Sequence, residues 1–89
     1  MNFSELKFNS TGQPSGIQAL VFFNNGFGAS VVKSNFSYGG KEGLYELAVI
    51  CGNQDDWAIT YKTQITGDVL GHLTEQKVEE YLNQIEAIV

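Results

Sequence analysis

Arginine is absent from this sequence, and its five lysines face ten carboxylates, for a formal net charge of −5. Nucleic-acid binding draws most of its affinity from Lys and Arg neutralising phosphates, and arginine makes the commonest base contact. The deficit therefore argues against direct binding of DNA or RNA and against an anionic membrane surface. It favours a basic protein surface, over a range limited by salt screening. The same charge also suffices simply to keep a small domain soluble. Cysteine occurs once, at Cys51, which excludes an intramolecular disulfide. No charged-then-apolar leader follows Met1, so the expected compartment is cytosolic and reducing. Histidine also occurs once, at His72. One His and one Cys fall short of the four ligands of a structural zinc site, and nothing in their spacing pairs His72 with a nucleophile. Apolar runs such as Ala19 to Phe23 are far shorter than the roughly 20 residues that cross a bilayer. No membrane span is expected.

What is present is core material for one domain. The chain has 89 residues, 43% of them apolar, and a second core would leave each half too small to offset its chain entropy. Phe3, Leu6 and Phe8 fit either a short edge strand or an extended arm. Asn9 to Gly16, with the lone Pro14, reads as a loop. Dense β-branched and aromatic residues then run from Ile17 to Asn24-Asn25-Gly26 and resume from Phe27 to Lys33. Asn-Gly between two such runs predicts a type I′ hairpin in which Phe23 faces Gly28. Ile17, Ala19, Val21 and Phe23 share one face. Leu44 to Cys51 predicts a third strand, with Tyr45, Leu47, Val49 and Cys51 on one side and Glu46 marking the wetter one. Trp57, Ile59 and Tyr61 alternate along a fourth.

The period then changes. Thr66 could cap a short helical turn through Leu70, loosened by Gly71 before His72 and Leu73. Thr74 caps a longer helix whose stripe is Val78, Tyr81, Leu82, Ile85 and Val89. The predicted fold class is α+β: a four-stranded antiparallel meander with one face covered by a C-terminal helix.

The usual catalytic and metal-binding motifs are missing from this sequence. Asp55 and Asp56 lack the alternating acceptors and terminal Glu of an EF-hand. Gly26-Phe27-Gly28 and Gly39-Gly40-Lys41 are each followed by a strand, which is the wrong context for a phosphate loop. No pair among the carboxylates stands out for acid–base work. No catalytic residue, metal site or cofactor is therefore expected, and the function expected is binding.

Two features rise above this background. The loop Asn35 to Gly43 is long for a meander and mixes Phe36 and Tyr38 with three glycines, Lys41 and Glu42. Loops on a rigid sheet concentrate binding residues, though these aromatics could equally fold back to plug the core. The last helix carries Glu75, Glu79, Glu80 and Glu86, with Asp68 before it and Lys77 as the only local balance. These could act as phosphate-like charges or could be an ordinary solvated face.

The segments NNGFGASVV, SYGGKEGLYELAV and ITGDVLGHLT, in this order and spacing, resemble a group of short reading frames in tailed bacteriophages. The resemblance covers Gly16 to Ile88. It departs at Gln64, where similar frames often carry proline, which bears on loop stiffness alone. What the resemblance implies is a setting, the cytoplasm of an infected bacterium, where small acidic phage proteins often block defence enzymes. The expectation is thus a non-enzymatic inhibitor of a host defence nuclease, of the anti-CRISPR kind, with Phe36 and Tyr38 as anchors. The alternative is a phage accessory or assembly module, for example a homodimer joined through an unpaired edge of the first or fourth strand.

Overall fold

A computed structural model of the chain describes residues 1–12, 16–65 and 68–89. Among these residues it is α+β: one antiparallel sheet and one C-terminal helix, with six strands in the sheet where four were predicted. The strands are β1 (Asn9–Ser10), β2 (Ile17–Phe22), β3 (Phe27–Lys33), β4 (Tyr45–Asn53), β5 (Asp56–Ile59) and β6 (Leu70–Leu73), followed by α1 (Glu75–Glu86). The predicted meander is β2 to β5. β3 holds one edge of β4, and β5 and β6 share the other end to end, β5 on Ile50 to Asn53 and β6 on Tyr45 to Leu47. Pro14 and the predicted cap Thr66 lie outside the described residues.

Alternation decides what is buried. Ala19, Val31 and Leu47 form one cross-strand row and Val21, Ala29 and Val49 the next, all pointing at α1. From the helix, Val78, Leu82 and Ile85 meet them, each fully buried. The Thr74 hydroxyl accepts from the Lys77 amide at 3.2 Å, which is the predicted N-cap. Val89 lies beyond the helix and is exposed, so the stripe ends with Ile88 packed on the core instead. The first ten residues are an arm tied back to this core. Leu6 is buried, and the Phe3 and Phe8 rings pack against Tyr45 with centroids 5.2 and 5.7 Å away. Asn9 and Ser10, read as loop, pair with Gln18 and Ile17 and cover part of the β2 edge.

The largest correction concerns residues 70–73, expected as part of a loosened helical turn. They are a strand, paired Leu73 to Tyr45 and Leu70 to Leu47. Two steps on β4 oppose three on β6, so β6 carries a bulge, and His72 takes a φ of 57° within it. The extra residue puts Leu70 and Leu73 on the same face, where a regular strand would have split them. Both pack on the core. Apolar residues three apart imitate a helical stripe, which is why the spacing misleads.

The first hairpin is a second correction. Phe22, not Phe23, pairs with Gly28, and the Phe23 amide bonds the Phe27 carbonyl at 2.8 Å. The loop is therefore the three residues Asn24, Asn25 and Gly26. Of these only Gly26 has positive φ, 86°, the arrangement of a type I turn closed by a left-handed glycine. Asn25 is freed by this geometry to serve the helix. Its Nδ2 lies 2.9 Å from the Ile85 carbonyl, 3.0 Å from that of Ile88 and 3.3 Å from that of Glu86, while its Oδ1 accepts from the Phe27 amide at 3.0 Å. Helix ends leave carbonyls without partners unless something caps them, and here the cap comes from a turn some sixty residues earlier. Asn25→Ala is expected to cost about 2 kcal/mol, and hence to lower the thermal midpoint by about 10 °C. Calorimetry on the purified variant checks this; an unchanged midpoint would show that the helix end does not depend on the turn.

Candidate functional site

The loop between β3 and β4 is stiffened by its own hydrogen bonds. Ser37 Oγ accepts from the Ser34 amide at 2.9 Å and donates to the Ser34 carbonyl at 3.1 Å. The Gly40 amide bonds the Ser37 carbonyl at 3.0 Å, and the Leu44 amide bonds that of Gly39 at 2.9 Å. Gly39 and Gly43 flank a 3-10 turn, Gly40–Glu42, with φ of 87° and 78°, a conformation that costs a side chain dearly. Gly40 is required for space: a Cβ there would run into the Ser34 carbonyl. The loop is also pinned to β6, since the His72 amide bonds the Tyr38 carbonyl at 3.1 Å and Gly71 leaves room for the Tyr38 side chain.

This frame holds Phe36 and Tyr38 outward, 78% and 62% exposed. They do not plug the core. Lys41 and Glu42 sit in the exposed 3-10 turn beside them, and Glu42 Oε2 lies 3.7 Å from His72 Nε2, an exposed and therefore weak pair. Below Phe36 an open groove of about 290 Å³ is lined by Gln18, Val32, Ser34, Ser37 and Glu46 among others. Phe36, Tyr38, Lys41 and Glu42 are thus brought together, and His72 joins them by way of the bulge.

The helix carboxylates differ in what they hold within the chain. Glu79 is half-buried and its Oε1 accepts from the Phe3 amide at 2.7 Å. Glu86 Oε1 lies 3.1 Å from the Met1 ammonium. Glu80 Oε2 lies 3.5 Å from Lys77 Nζ. Two of the four hold the N-terminal arm, leaving Glu75 and Glu80 as the charges most available to a partner.

Sequence reasoning also passed over the sheet face turned away from α1. Leu20 and Phe22 on β2, Val32 on β3, Ala48 and Ile50 on β4, and Trp57 and Ile59 on β5 all point that way. The signal was in β4, whose alternating positions are apolar on both parities, the mark of a strand buried on both faces. Glu46, expected to make that side wet, lies at its loop end.

A second concavity, about 940 Å³, lies between residues 60–65 and the end of α1. Phe27, Ile65 and Ile88 line it, with Lys62 and half-buried Cys51 also at its wall. His72 is at the other end of β4 from Cys51. Among the described residues no group of three His, Cys, Asp or Glu stands together as a metal site, and no helix is long and apolar enough to cross a membrane. Compared with protein families, curated proteins and solved structures, the chain matches none of them.

Proposed function

We propose that this chain is a non-enzymatic binding protein anchored by its Gly-aromatic loop, and that in the phage setting its motifs imply it inhibits a host defence nuclease. One observation carries the reading: two adjacent aromatic side chains, Phe36 and Tyr38, are held in solvent by a loop whose backbone is already ordered. Burying such side chains on a partner gains apolar contact area without the entropy cost of ordering the loop. The charge of −5 and the exposed Glu75 and Glu80 steer the molecule toward basic surfaces such as a nuclease presents to nucleic acid, and contribute to on-rate more than to final affinity.

Affinity capture from an infected host, followed by binding measurements with the captured protein, tests this. Phe36→Ala with Tyr38→Ala should weaken binding at least about 30-fold, as expected for two anchors, with no loss of thermal stability. Equal binding by that variant would overturn the loop assignment. Glu75→Lys with Glu80→Lys should slow association at low salt and lose its effect as salt rises. Glu79 is left unaltered because it holds the arm.

A further inference from the structure

We infer that the groove beneath Phe36 seats one arginine side chain of a basic protein partner, whose guanidinium meets the Glu46 carboxylate. This rests on the reading of Phe36 and Tyr38 as anchors and names what their loop recognises. Gln18, Val32 and Glu46 form one cross-strand row over β2, β3 and β4, at the end of the sheet from which the loop leaves. Ser34, Phe36 and Ser37 rise beside that row. In the next row Ser30 and Ala48 are buried, but every described residue lining the groove keeps contact with solvent. The space, about 290 Å³, falls just below the roughly 300 to 1,000 Å³ of pockets that take whole small molecules. It suits one long side chain.

Charge and shape select that side chain. The Gln18 Nε2 donates to Ser30 Oγ at 2.9 Å, which leaves the Gln18 carbonyl oxygen as an acceptor beside the Glu46 carboxylate. Among the described residues no lysine lines the groove, and no cationic group lies within 4.0 Å of Glu46. Lys33, next to Val32 in sequence, is committed elsewhere, its Nζ 4.8 Å from the centroid of the Tyr45 ring. The Tyr38 amide reaches Glu46 Oε1 at 3.5 Å, a long bond that ties the carboxylate to the loop without neutralising it. A half-buried carboxylate with no counter-ion gains from an incoming cation that also donates hydrogen bonds. Lysine is the poorer occupant, because its compact ammonium is strongly hydrated. A planar guanidinium lies against an aromatic ring such as Phe36 and offers its fork to the carboxylate.

The probe is a blocked arginine, N-acetyl-arginine N-methylamide, titrated into the isotope-labelled full chain and followed by amide NMR. Salt at about 0.15 M suppresses general attraction to the charge of −5. Saturable shifts should appear at Gln18 and across Ser34 to Tyr38, with a dissociation constant of about 1 to 10 mM. The equally blocked lysine should bind at least about threefold more weakly. Glu46→Gln keeps the size of the side chain and an acceptor for the Tyr38 amide, so the fold is retained, yet arginine binding should fall at least about fivefold. Phe36→Leu, which keeps an apolar rim without a ring, should weaken it about threefold. Absence of saturation, equal binding of the two probes, or undiminished binding by Glu46→Gln overturns the arginine seat, as do shifts confined to α1, which would place the cation on Glu75 and Glu80. The loop reading fails separately. A captured partner whose binding falls with Phe36→Ala and Tyr38→Ala, yet is indifferent to Glu46→Gln, overturns the arginine and leaves the anchors standing.

Discussion

Gly28→Ala is expected to destabilise the protein by about 3 kcal/mol, a fall of about 10 to 20 °C in the thermal midpoint. The methyl group has nowhere to go. A Cβ at residue 28 would run into the Val21 carbonyl oxygen and lie 3.1 Å from the Phe22 Cα. Both obstacles are backbone, so relief requires β2 and β3 to separate along their ladder. Gly26, two residues earlier, is the internal control. It meets nothing within 4 Å, and its φ of 86° is the only obstacle to a side chain. Gly26→Ala should therefore cost about 1 kcal/mol, from backbone conformation alone. Urea unfolding of both variants separates the two causes, and equal losses would mean that close approach at Gly28 is not what demands glycine.

The second large effect is expected at Leu47. It is fully buried on the helix-facing side of β4, paired with Val31 on one side and Leu70 on the other. Leu47→Ala should cost about 3 to 4 kcal/mol through lost transfer energy and a cavity that the surrounding strands cannot close. A domain of this size holds about 5 to 10 kcal/mol in total, so the variant would keep only a fraction of its stability. Its local signature matters more than its size. Among the described residues β6 pairs with the sheet along Tyr45 to Leu47, so amide exchange in residues 70–73 should accelerate more than in β2 or β3. Uniform acceleration across the sheet would show that β6 is not anchored by this contact.

Much of the architecture was legible because strand and helix periods are strong over long runs. β2, β3, β4 and α1 each follow a pattern of six residues or more. What the sequence concealed was short or irregular. Asn9 and Ser10 carry no apolar period, and their pairing exists only because the arm folds back against Tyr45. Leu70 and Leu73 match a helix until the bulge at His72 is known, and nothing local in Leu-Gly-His-Leu announces a histidine at positive φ. Asn-Gly was read as both halves of a tight turn, whereas Asn25 is recruited by carbonyls at the far end of the chain, a tertiary demand that overrides the two-residue preference. The site divides in the same way. Phe36 and Tyr38 were visible as aromatics among glycines, but whether they point inward or outward depends on how Gly40 nests on Ser34. The structural work of Glu79 and Glu86 depends on an arm whose path the sequence left open.

The capping of α1 by Asn25 has a consequence for synthesis. A twelve-residue helix is marginal alone in water, whereas a hairpin can close in about 1 to 10 µs. On the ribosome, β2 and β3 emerge early and can pair with the Asn25 amide facing water. The carbonyls that it binds are made some sixty residues later. Over that interval the hairpin is a half-built receptor, and the final turn of the helix is the ligand that completes it.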